Sequence, residues 1–84
     1  MPKLPRVKAS ETIRALERLG FQQVRQKGSH VILKKQILVE EDAKEQTLEV
    51  GCVVPLHQKD LAVGTLNSIL KQAGVSVEEF IQNL

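Results

Sequence analysis

Tryptophan and tyrosine are absent from this chain, and phenylalanine occurs only twice. A platform that stacks successive bases on aromatic rings therefore lacks its parts, and any nucleic-acid contact has to work through phosphates, 2′-hydroxyls and overall shape. Cys52 is the one cysteine, which excludes an intrachain disulfide. Apolar runs stay far short of the roughly 20 residues that span a bilayer, and the chain opens on Met-Pro-Lys instead of an apolar secretory segment. The expected compartment is a reducing cytoplasm, with no membrane partner. With 84 residues, one domain over 1–84 with a single small core is expected. Residues 1–8 hold two of the three prolines and read as an extended arm, whose Lys3, Arg6 and Lys8 are available to phosphates.

The net charge of +2 hides an asymmetry. Residues 1–35 carry nine Lys or Arg against two Glu, a net +7, whereas residues 36–50 carry one Lys against five acids, a net −4. A basic surface of this kind suits a polyanion, phosphate above all, although a solvated basic face without a ligand has the same composition.

Periodicity divides the chain into six elements. Ile13, Leu16 and Leu19, with Ala9, Thr12 and Ala15 beside them, form one helical face that Ser10 or its neighbour can cap and that Gly20 stops. Arg14 and Arg18 point outward with Glu11 and Glu17. Gln22 to Gln26 is polar apart from Val24 and suits a short strand with one buried position. His30 to Val39 alternates as a second strand, residues 40–46 are polar enough for a hairpin tip, and Thr47 to Leu56 returns as a third strand with Gly51 as a candidate bulge and Pro55 as its end. Residues 57–63 connect to a helix opened by Gly64-Thr65, with the stripe Leu66, Ile69, Leu70 and Ala73 and a stop at Gly74. Ser76-Val77-Glu78-Glu79 is a capping box ahead of a last short helix. The fold class is α+β: α-β-β-β-α plus a short C-terminal helix, with a three-stranded antiparallel sheet covered by helices on one face.

The stretch that carries chemistry is Lys27-Gly28-Ser29-His30. Gly28 supplies the positive φ of a tight turn, and the turn presents His30 at the start of the following strand. An imidazole exchanges protons near neutral pH, and Arg25 and Lys27 stand close by with positive charge. Alternation puts His30, Ile32 and Lys34 on one face without deciding which face meets the helices. Other chemistries fare worse. Ser29, adjacent to His30 on a strand, points away from it, so the pair is not a nucleophile and its base. His30, Cys52 and His57 lack the local paired spacing of metal ligands, so neither a metal nor a cofactor is expected. Cys52 suits a small buried apolar role, and the start at Gly64-Thr65-Leu66 is an ordinary helix start.

Taken together, Gly20-Phe21, Arg25-Gln26-Lys27-Gly28-Ser29-His30, Pro55-Leu56-His57, Gly64-Thr65-Leu66 with Ile69-Leu70, and Ala73-Gly74 followed by Val77-Glu78-Glu79-Phe80 resemble the HicA (YcfA-like) toxins of bacterial and archaeal toxin–antitoxin pairs. The resemblance runs over nearly the whole chain from Ser10 onward. It implies a double-stranded-RNA-binding-domain-like fold, cleavage of mRNA without a metal, and neutralisation by a HicB-type antitoxin. The family's catalytic histidine falls on His30, while His57 matches a position that is often histidine and takes no catalytic role here. Read physically, His30 is the general acid/base, and Arg25, Lys27, Gly28, Ser29 and Lys34 form its RNA-binding surround. The stretch from Gln36 to Gly51 departs from the family in being longer and more acidic. Two alternatives stand beside the nuclease: a non-catalytic RNA-binding module of the same fold, and an interaction protein whose one ligand is the antitoxin.

Overall fold

A computed structural model describes residues 3–56 and 60–84. The element order is α1 (Ala9–Arg18), β1 (Gln22–Lys27), β2 (His30–Glu41), β3 (Lys44–Pro55), α2 (Val63–Ala73) and α3 (Val77–Gln82). This is the α+β layout that the periodicity implies. The strands form one antiparallel sheet in the order β1-β2-β3.

Local chemistry sets the helix boundaries. Helix α1 begins earlier than Ser10, with Lys8 as its N-cap residue, because the Glu11 carboxylate reaches back to accept from the Lys8 backbone N–H at 3.0 Å. Its end is fixed by Gly20 at φ +103, after which the Phe21 N–H donates to the Leu16 carbonyl at 3.0 Å. Gly74, at φ +69, closes α2 in the same left-handed manner. At the start of α3, Ser76 and Glu79 form the reciprocal capping box that their spacing implies.

The helices cover the face of the sheet that carries Val31 and Leu33 of β2 and Cys52 and Val54 of β3. These four join Ile13, Leu16, Phe21, Leu66, Leu70 and Phe80 in the buried core. Thr12 is the buried polar member, and its hydroxyl donates to the Lys8 carbonyl at 3.1 Å. Residues 3–8 do not hang free. Val7 is buried, and its carbonyl accepts from the Leu61 N–H at 2.9 Å, which stitches the arm to the segment ahead of α2.

Three strand features differ from the sequence reading. Val24 is half exposed instead of buried, because it is the extra residue of a bulge between Gln23 and Arg25. Gly51 is not a bulge: β2 and β3 keep one register from His30↔Pro55 to Glu41↔Lys44. A Cβ at Gly51 would lie 3.2 Å from the Leu33 carbonyl oxygen, so close backbone approach is what glycine permits there. Finally, residues 40–46 are mostly strand, and the tip shrinks to Asp42 and Ala43, both at positive φ (53° and 61°) as in a type I′ turn.

Strand β1 pairs with β2 only as far as Lys34. Beyond it β2 and β3 continue alone as a two-stranded ribbon, past the edge of the helical layer, where Ile37, Leu38 and Leu48 are left exposed.

Candidate functional site

The helix-free face of the sheet is built by register. Cross-strand partners share a face in an antiparallel sheet. The rows Lys27–His30–Pro55, Arg25–Ile32–Val53 and Gln22–Lys34–Gly51 therefore all lie on the side opposite Val31 and Leu33. This resolves what alternation leaves open: His30 and Lys34 face away from the helices, and both are exposed.

The bulge at Val24 makes the basic cluster. Strict alternation from Gln22 would turn Arg25 and Lys27 toward the helical side. One extra residue shifts the phase, and both cations come onto the face of His30. The side chains of Arg25, Lys27, His30 and Lys34 are all exposed.

The turn that presents His30 is held at both of its carbonyls. Gly28 occupies the first central position at φ +60, as a type II′ turn requires. Its carbonyl oxygen accepts from the Gln26 side-chain amide at 3.1 Å, and the carbonyl of half-buried Ser29 accepts from the Leu56 backbone N–H at the end of β3. The backbone of His30 thus starts from a clamped position, with Lys27 directly opposite it across the strand pair. Such a face can hold a phosphodiester on its cations and move a proton at an imidazole.

Lys34 differs from the other cations. Its Nζ lies 3.0 Å from the Glu49 Oε1 on β3, an ion pair about half exposed at each end. Two contributors were missed by sequence reasoning, Gln26 as a clamp on the turn and Glu49 as a counter-charge. Glu49 becomes visible only once the β2–β3 register is known, and Gln26 carries no local signal beyond its place two residues ahead of a turn glycine.

Of the remaining candidates, Cys52 is buried, and burial pushes its thiol up to about 11. His57 lies outside the described residues. Among those described, no three His, Cys, Asp or Glu side chains come together as a metal site. No described helix is long and apolar enough to cross a membrane.

The model of one protein family, HicA toxin of bacterial toxin–antitoxin, matches residues 9–75. A comparison with curated proteins finds no match. The matched span takes in α1, the whole sheet and α2, and so includes the Gly28 turn and every residue of the basic face. More than half of the chain being matched, the protein belongs to the HicA toxin family of bacterial toxin–antitoxin systems.

Proposed function

We propose that this toxin is an endoribonuclease that cleaves mRNA on the helix-free face of its sheet, with His30 as general acid/base and no metal in the chemical step. The observation that carries the reading is the exposed His30 set on a clamped turn directly opposite Lys27, with Arg25 and Lys34 on the same face. An RNA 2′-hydroxyl loses its proton to the imidazole and attacks the adjacent phosphorus. The bond to the 5′-oxygen breaks, and that oxygen takes a proton from the imidazolium. The products are a 2′,3′-cyclic phosphate and a free 5′-hydroxyl, so atoms and protons balance. Lys27 and Arg25 stabilise the charge that builds on the phosphorane oxygens, and Gly28 and Ser29 let the backbone of the turn approach the strand being cut.

One acid/base group supplies roughly 10² to 10⁴-fold, so turnover is slow. The partner that follows from this reading is a HicB-type antitoxin, which neutralises the toxin by covering the basic face. The compartment proposed is the cytoplasm, where mRNA is available, and the whole chain acts as one domain.

The test is cleavage of a labelled transcript by purified protein in EDTA. Wild type yields fragments ending in cyclic phosphate, and His30→Ala loses cleavage by at least about 10²-fold with an unchanged circular dichroism spectrum. Cleavage by His30→Ala at the wild-type rate removes His30 from the mechanism. A wild-type protein that binds the transcript and leaves it whole is an RNA-binding module and not a nuclease.

A further inference from the structure

The ribbon beyond β1 leaves one edge of β2 unpaired over residues 35–41, and the side chain of the first of these, Lys35, lies beside Gly20 and over the Phe21 ring. No proline or bulge interrupts this edge, and it carries the exposed Ile37 and Leu38. An open apolar strand edge is a template for another strand. We infer that a second copy of this chain fills it, by antiparallel pairing of β2 with β2 about a twofold axis at Leu38.

The residues along this edge complement themselves in that register. Leu38 meets Leu38 of the second copy, Ile37 meets Val39, Gln36 meets Glu40, and Lys35 meets Glu41. The centre is apolar and each end is an opposite-charge pair, the arrangement that cross-strand neighbours favour. The contact is isologous and closed, so it stops at two copies. Along the free edge of β3, by contrast, a twofold at Thr47 would set Glu45 against Glu49 of the second copy, a like-charge row.

Space is available where β1 stops. A hollow of about 390 Å³, lined by Gln22, Val24, Lys34 and Lys35 among others, opens beside the end of the β1–β2 pairing. The pairing between copies runs no further than Lys35, because Gln22 of β1 already holds the place opposite Lys34. The incoming strand continues the row that β1 vacates, giving a six-stranded sheet with the helices of both copies on one side. His30 of each copy pairs with Lys27 and Pro55 of its own chain and is left uncovered. The inference does not depend on RNA cleavage.

Seven residues per copy make a small interface, so association in the micromolar range is expected. Sedimentation equilibrium at about 10 µM and about 500 µM, brackets chosen for that range, reads it directly. The expected result is a mass rising from the 9.4 kDa of the chain toward twice that value. Leu38→Lys, which puts two like charges on the axis, stays monomeric with unchanged circular dichroism. Glu41→Lys and Lys35→Glu each weaken association about tenfold or more, and the double variant Lys35→Glu with Glu41→Lys restores it. A monomer at both concentrations overturns the proposal, as does a dimer that survives Leu38→Lys or a double variant no tighter than the singles.

Discussion

Lys34 on β2 and Glu49 on β3 are joined through a 3.0 Å contact between Nζ and Oε1, on the same face as His30. The pair sits diagonally across the strands, since Lys34 is directly opposite Gly51 and Glu49 directly opposite Gln36. Glycine at position 51 leaves the space through which the lysine reaches its partner. Among the described residues, the charge of Lys34 is thus offset by a side chain of its own sheet.

Replacing Glu49 by Gln releases that charge. Both ends of the pair are about half exposed, so losing it costs at most about 1 kcal/mol of stability. If the face binds RNA phosphates, Glu49→Gln binds a non-cleavable transcript about fivefold more tightly, equivalent to roughly 1 kcal/mol. The slope of log affinity against log salt also steepens by close to one phosphate contact. Filter binding at several salt concentrations checks both. Unchanged affinity and slope would place the RNA elsewhere than beside Lys34.

The two hairpin turns make opposite demands on their residues. Gly28 stands at φ +60 with nothing within 4 Å of where a Cβ would be, so a side chain there meets conformational strain and no clash. Ala43 already stands at φ 61 and bears that strain. A non-glycine residue in the left-handed region costs roughly 1–2 kcal/mol, partly offset by the smaller chain entropy it loses on folding. Gly28→Ala therefore lowers unfolding free energy by about 1 kcal/mol, while Ala43→Gly raises it by up to about 1 kcal/mol. Urea denaturation of the two variants resolves the signs, and a stabilised Gly28→Ala would rule out the left-handed turn.

Those turns also show how far the sequence was legible. Gly28 announces its turn, because glycine with polar neighbours between two strand patterns has few other uses. Asp42-Ala43 does not, since alanine is a poor residue for positive φ, and so a two-residue tip read as a seven-residue loop. Both faces of the ribbon around it meet solvent, and the polar residues that look like loop are strand residues with no core to face. Helices α1, α2 and α3 were readable because each buries apolar residues, a stripe in α1 and α2 and Phe80 in α3, and each has a cap or stop of its own. Val24 was misread for the converse reason: a lone apolar residue in a polar strand looks buried, and the bulge that exposes it depends on pairing with β2. That same bulge brings Arg25 and Lys27 to His30, so the composition of the basic site was legible while its geometry was not.

Cys52 offers a probe of the fold that is independent of RNA. Its side chain is buried among the core residues of β3, and burial, by disfavouring the thiolate, raises the thiol from 9.0 to about 11. The thiolate is the nucleophile, so the folded protein should resist iodoacetamide at pH 8 and react readily in denaturant. The same shift fixes a sign for stability. The folded state holds its proton to higher pH than the unfolded chain, so its contribution to stability is complete below about 9 and is lost as pH rises from there through about 11. Cys52→Ala removes that contribution, and its urea midpoint should fall less steeply than wild type across the interval. Rapid alkylation of the native protein at pH 8, or identical alkaline slopes for the two proteins, would show that β3 does not seal the thiol beneath the helices.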